Sequence, residues 1–158
     1  MNSHHILIIS ADLSLSAQTA LLLQQNGFTT AHSQNTKQGL SMALERSIEL
    51  ILLDTSLPDI DGFLLLRQLR KEKQTPVMMI TAKATELDRL HAYSSGADDC
   101  LAKPVNLDEL LLRIQVLLRR CVDYDKPVMP GISLTVDQLT LNRSSQYAEF
   151  AGIALSFT

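Results

Sequence analysis

Tryptophan is absent, cysteine occurs twice, and only six glycines and five prolines interrupt 158 residues. Two cysteines, Cys100 and Cys121, are too few for a disulfide framework. A dominant charge is also missing. Fourteen basic against seventeen acidic residues leave a net charge of −3, which gives no strong field for nucleic acid or an acidic membrane. Long hydrophobic runs are missing as well. The longest, such as Leu50–Leu53 and Phe63–Leu66, span four residues, whereas a membrane-spanning helix needs about 20. The opening Met1–His5 passes straight into a strand-like run without a charged and apolar leader. These absences lead us to expect a soluble cytosolic protein with no membrane partner.

What is present is a core. With 46% hydrophobic residues, the chain suits one ordinary domain and a small appendage. Short apolar runs recur at Ile6–Ile9, Phe28–Ala31, Leu50–Leu53, Val77–Ile80 and, more weakly, Cys100–Ala102. Three of them are nearly continuous hydrophobics, as expected for strands buried on both faces of a parallel sheet. Helical patterns lie between and after them, near 14–25, 36–46, 62–71, 86–95 and 107–119. The alternation predicts right-handed βαβ units and a doubly wound sheet. Leu107, Leu110, Leu111, Ile114, Leu117 and Leu118 make the clearest helical face. Gly27, Pro58 with Gly62, and Gly96 punctuate the boundaries.

After Arg120 the pattern changes. Residues 122–131 carry two prolines and read as a linker. Beyond it, Ile132/Leu134/Val136, Leu139/Leu141, Tyr147 and Ile153/Leu155/Phe157 alternate as in short antiparallel strands, with turns at Asn142–Gln146 and Ala151–Gly152. The expected organisation is a domain over 1–121, a linker over 122–130 and a β fragment over 131–158.

In an open parallel sheet, ligands sit beyond the carboxyl ends of the strands. Asp54 ends the third apolar run, Thr81 the fourth, and Lys103-Pro104 follows the fifth. A carboxylate, a hydroxyl and an ammonium at neighbouring strand ends suit a phosphoryl-accepting site: the carboxylate attacks and the other two hold phosphoryl oxygens. Each alone reads as an ordinary strand-end polar residue. Their joint placement favours the site.

On these residues, 4–120 resemble the receiver domain of bacterial two-component response regulators. The matching stretches are Leu52–Gly62, Met79–Lys83, Gly96–Asp99 and Lys103-Pro104. The resemblance implies a flavodoxin-like five-stranded parallel sheet in order 2-1-3-4-5 flanked by five helices. It also implies Asp54 as phosphoacceptor, Thr81 as switch hydroxyl, Lys103 as phosphate-binding lysine, a sensor histidine kinase as partner and no enzymatic role.

The chain departs from the pattern where metal should bind. Receivers usually carry two acidic residues directly after the first strand, and these hold Mg2+ together with the phosphoacceptor. Here Ser10-Ala11 stand there. Alanine offers no oxygen ligand, and a hydroxyl is a poor replacement for a carboxylate. Asp12 reaches the metal only if its loop shifts, and its ordinary reading is a helix cap. Mg2+ binding is therefore expected to be weak or absent, with Lys103 left to offset the charge on Asp54. Cys100 stands where the family usually has an aromatic coupled to the switch threonine. Its ordinary reading is a small buried strand residue, and a redox sensor is the minority one.

A resemblance to the OmpR/PhoB-like winged-helix class implies a two-fold dimer through the fourth helix, fifth strand and fifth helix. Its ion pairs would be Arg89 with Glu109, Asp99 with Arg113, and Asp98 with Arg120, around Leu90, Tyr93 and Leu112. Ordinary solvated helix pairs such as Glu109 and Arg113 are the bland alternative. Residues 131–158 resemble the opening strands of that class's DNA-binding domain and stop before a recognition helix, so DNA contact is expected only through a C-terminal domain beyond this sequence. The overall expectation is an atypical transcription-controlling response regulator. A stand-alone receiver acting as a protein-binding adaptor is the alternative, and a hydrolase with an aspartyl nucleophile lacks a second carboxylate.

Overall fold

The structure is a computed structural model. It describes residues 3–45, 47–83 and 85–125, and four strands of the tail. Five strands, β1 (His5–Ile9), β2 (Thr29–Ser33), β3 (Leu50–Asp54), β4 (Val77–Thr81) and β5 (Asp99–Ala102), form one parallel sheet in the order β2-β1-β3-β4-β5. Five helices alternate with them: α1 (Leu13–Gln25), α2 (Thr36–Glu45), α3 (Gly62–Arg70), α4 (Glu86–Ser94) and α5 (Leu107–Asp125). This is the flavodoxin-like doubly wound architecture that the sequence implies.

The period-2 geometry of a strand divides its side chains between two faces. Leu7, Ile9, Ile51, Leu53 and Met79 pack on Ala43 of α2, Leu65, Leu66 and Leu69 of α3, and Ala92 of α4. Their sequence neighbours Ile6, Ile8, Leu50, Leu52 and Met78 pack on Leu23 of α1 and on Leu110, Ile114, Leu117 and Leu118 of α5. Both faces are covered, which explains the unbroken apolar runs of β1, β3 and β4.

Two boundaries differ from the sequence pattern. β2 spans Thr29–Ser33, two residues beyond the apolar run at its end. It is an edge strand whose only neighbour is β1, from His5↔Thr29 to Ile9↔Ser33, so backbone pairing sets its extent and polar side chains are tolerated. Helix α5 continues to Asp125, through the first four residues of the expected linker (122–125), beyond the expected apolar face. The tail contains β6 (Ser133–Val136), β7 (Leu139–Asn142), β8 (Tyr147–Phe150) and β9 (Ile153–Ser156), antiparallel in that order. The tail's expected turns, other than Asn142, lie outside the described residues, as do Ile132 and Phe157.

Helix α3 begins against the end of β3. A Cβ on Gly62 would lie 2.8 Å from the Asp54 carbonyl oxygen and 3.0 Å from Thr55 Cα. Backbone cannot yield as a side chain does, so Gly62→Ala must push α3 from the end of β3. The expected cost is about 1–3 kcal/mol, the scale of overpacking in a tight core. Urea unfolding measures it; an unchanged midpoint would show that the helix end has slack.

Candidate functional site

The carboxyl ends of β1, β3, β4 and β5 bring Ser10, Asp54, Thr81 and Lys103 to one edge of the sheet. Asp54 is 1% exposed, so its carboxylate depends on protein donors. Oδ2 accepts from Lys103 Nζ at 2.8 Å and from Ser10 Oγ at 2.9 Å, while Oδ1 accepts from the Ser56 N–H at 2.9 Å. Ser10 is held in turn: its Oγ accepts from the Asp12 N–H at 3.1 Å, and its own N–H donates to the Ser33 carbonyl. Lys103 is seated through its backbone N–H on the Thr81 carbonyl at 2.8 Å. Sequence reasoning placed Asp54, Thr81 and Lys103 here and treated Ser10 only as a lost ligand. The strand order puts the end of β1 beside the end of β3, and that adjacency is the signal for a direct Ser10–Asp54 bond.

Asp12 does not enter this site through its cap contact. Its Oδ1 accepts from the Leu15 N–H at 3.0 Å and caps α1. The oxygen donors after β1 are thus one hydroxyl, already given to Asp54, and a carboxylate bonded to a helix terminus. Among the described residues, no three His, Cys, Asp or Glu side chains cluster to hold a metal. The Ser10-Ala11 pair does not fit the acidic, near-octahedral oxygen set that Mg2+ requires.

Thr81 is buried, and its Oγ1 donates to the Lys83 carbonyl at 2.9 Å. Cys100, on β5, is buried beside it. Burial pushes the Cys100 thiol pKa up. The loop after β3 is fixed by a carboxylate of its own. Asp59 accepts from the Thr36 hydroxyl at 2.5 Å and from the Thr36 N–H at the start of α2, and these bonds, the hydroxyl first, lower its pKa.

The sheet continues into a second surface. Leu90 and Tyr93 of α4 and Leu112 of α5 are 58%, 48% and 63% exposed, and Leu87, unremarked in the sequence, is 78% exposed. Beside them lies an open groove of about 350 Å³ lined by Tyr93, Leu112, Val116, Leu117 and the charged Asp98, Asp99, Arg113 and Arg120. The acidic residues here already have partners within the chain. Arg113 Nη1 donates to Asp99 Oδ1 at 2.8 Å, and its Nη2 to Glu109 Oε1 at 2.7 Å. Burial opposes the Arg113 charge, yet these two carboxylates leave its pKa raised. Asp98 Oδ2 accepts from Arg70 Nη2 at 2.9 Å and from the Val77 N–H at 2.8 Å. Arg70, which sequence reasoning missed, also donates to the carbonyls of Gly96 and Thr75, tying the end of α3 to the strands beside it. Within this chain Arg89 is not paired with Glu109, nor Arg120 with Asp98, among the described ion pairs.

A buried carboxylate, an ammonium and a hydroxyl thus stand at three strand ends of one sheet. The sequence model of the response regulator receiver domain matches residues 6–115. The chain belongs to that family. The transcriptional regulatory protein CpxR of Escherichia coli strain K12 is 38% identical over 161 residues, covering 97% of this chain and 67% of CpxR. The transcriptional regulatory protein SrrA of Staphylococcus aureus strain NCTC 8325 is 36% identical over 118 residues, covering 75% of this chain and 49% of SrrA. Among solved structures, a Francisella response regulator receiver domain superposes with TM-score 0.73 at 28% identity, over 75% of this chain and 99% of that one. The response regulator DrrB of Thermotoga maritima, an OmpR/PhoB homolog, superposes with TM-score 0.70 at 20% identity over 99% of this chain and 68% of DrrB, which speaks for the fold. This receiver therefore carries the fold of a two-component response regulator, and its relatives include transcriptional regulators. No helix among its described residues is long and apolar enough to cross a membrane.

Proposed function

We propose that this receiver controls transcription as a homodimer that forms without phosphorylation, with Asp54 a weakly used phosphoacceptor. One observation carries the reading: Ser10, standing where family members place an acidic metal ligand, bonds Asp54 Oδ2 together with Lys103. A metal ion supplies several kcal/mol of charge stabilisation in phosphoryl transfer, so a pocket that disfavours Mg2+ transfers slowly. Lys103 and Ser10 instead hold the carboxylate in a metal-free arrangement, and Thr81 is the switch hydroxyl beside it. The input from a sensor histidine kinase is correspondingly weak.

The output surface is retained. Leu87, Leu90, Tyr93 and Leu112 form an exposed apolar face that a two-fold copy covers with the same residues. In an ordinary receiver the phosphoryl group shifts a two-state equilibrium towards the dimerising form. A receiver with a poor metal pocket either populates that form unaided or takes its input elsewhere, and the exposed apolar face favours the first. DNA recognition then belongs to a C-terminal winged-helix domain of which residues 131–158 are the opening strands, and the protein works in the cytoplasm.

Light scattering on the untreated protein tests this reading. A dimer at micromolar concentration, weakened by Arg113→Glu, is the expected result. A monomer throughout would refute it.

A further inference from the structure

Ser10 follows the last residue of β1, and the ladder to β2 ends there half complete. In a parallel pair, the N–H and C=O of one residue bond to the residues on either side of its partner. The register Ile9↔Ser33 carries on to Ser10, whose N–H donates to the Ser33 carbonyl at 3.0 Å. The matching donor for the Ser10 carbonyl would be the Asn35 N–H. That N–H goes instead to the Ser33 hydroxyl, at 3.4 Å.

His32, half-buried on β2, takes its place: His32 Nε2 lies 3.0 Å from the Ser10 carbonyl oxygen. Counting protons fixes the direction of this bond. A carbonyl oxygen only accepts, so Nε2 carries the hydrogen, and the neutral ring leaves Nδ1 without one. Both peptide planes flanking Ser10 are then pinned to β2, one through the Ser33 carbonyl and one through His32. Two fixed planes fix the direction of the Ser10 Cα–Cβ bond. That bond delivers Oγ to Asp54 Oδ2 at 2.9 Å, with Ser10 only 2% exposed.

We propose that His32 is a positioning residue, which holds the Ser10 peptide so that the Ser10 hydroxyl stays on Asp54. The proposal rests on the reading of Ser10 as the metal-free partner of Asp54. A side chain is only as well placed as the backbone that carries it, and a loop residue needs support from a rigid neighbour. Here the support comes from an edge strand. His32 thereby lets β2 bear on a pocket whose other groups stand beyond β1, β3 and β5.

The test reads two signatures by NMR in the isotopically labelled chain. One is the ring proton of His32, placed by long-range proton–nitrogen couplings. The other is the χ1 rotamer of Ser10, from three-bond couplings to its β-protons. In the unchanged protein the neutral His32 ring is expected to hold its proton on Nε2, and Ser10 to occupy one rotamer. His32→Gln still donates from a terminal amide and should keep that rotamer. His32→Met has a similar unbranched shape without a donor. It should lower the ratio of held to released rotamers by about fivefold, the scale of one hydrogen bond. A packing role would not separate glutamine from methionine. A neutral ring with its proton on Nδ1 overturns the proposal, as does an averaged Ser10 in the unchanged chain or equal couplings in the two variants. If either variant fails to fold, the unchanged chain decides: Nε2–H with one Ser10 rotamer supports the proposal, and any other combination overturns it. Neither signature depends on a dimer, a metal or phosphoryl transfer, which light scattering and intact mass after a phosphodonor report separately.

Discussion

The double variant Ser10→Glu/Ala11→Asp is expected to bind Mg2+ at least about 100-fold more tightly than the unchanged chain. Two carboxylates would then stand at the end of β1, beside Asp54 at the end of β3, where the strands are direct neighbours. Three acidic groups in a site as buried as Asp54 repel one another, and a divalent ion relieves that repulsion. The same substitution deletes the Ser10 hydroxyl bond to Oδ2, freeing a lone pair for the metal. Without Mg2+ the variant should melt earlier than the unchanged chain, and added Mg2+ should restore it by mass action. Its rate with a small phosphodonor should rise by a similar factor. Ser10→Ala is the control, because it removes the hydroxyl and supplies no ligand; its Mg2+ affinity should stay low. A folded double variant with unchanged affinity would show that the pair after β1 is not what disfavours the ion.

The second large effect concerns the dimer. Each acidic residue expected to bridge two copies already has a cation in its own chain: Asp99 and Glu109 on Arg113, and Asp98 on Arg70. An intermolecular bridge therefore replaces an intramolecular one, and the net electrostatic gain is small. Apolar burial must drive association. Leu112→Glu is accordingly expected to cost about 2 kcal/mol per copy, a hot-spot value, and two-fold symmetry applies it twice. The resulting loss of about 4 kcal/mol corresponds to roughly a thousandfold in Kd. Salt should change the dimer Kd by no more than about threefold, since the exchanged pairs cancel. Sedimentation across a salt series distinguishes this from an interface held by ion pairs, whose affinity falls steeply as salt rises.

Much of this molecule is legible in its residues, and what escapes does so for physical reasons. β1, β3 and β4 announce themselves because burial on both faces demands unbroken apolar runs. β2 does so only in part: its apolar run marks Phe28–Ala31, while backbone pairing with β1 carries this edge strand on to the polar Ser33. The end of α5 differs too: the expected apolar face is the run Leu107–Leu118, while Cys121 and Val122 continue the helical spacing and the helix reaches Asp125. At the site, strand ends identify Asp54, Thr81 and Lys103, since topology alone brings them to one edge. The Ser10 bond and the Thr81 bond to Lys83 depend on rotamers, which no spacing encodes. The Arg70–Asp98 pair joins residues 28 apart in the chain and carries no periodic signal. On the surface, the apolar positions were visible, but the intrachain partners of their charged neighbours were not, because opposite signs admit several pairings.

Titration calorimetry of Mg2+ into the unchanged protein tests most directly the claim that Ser10 and Lys103 serve Asp54 in place of an ion. The account predicts no saturable heat across the concentrations of Mg2+ found in cells. Saturable one-to-one binding that disappears in Asp54→Asn would contradict it.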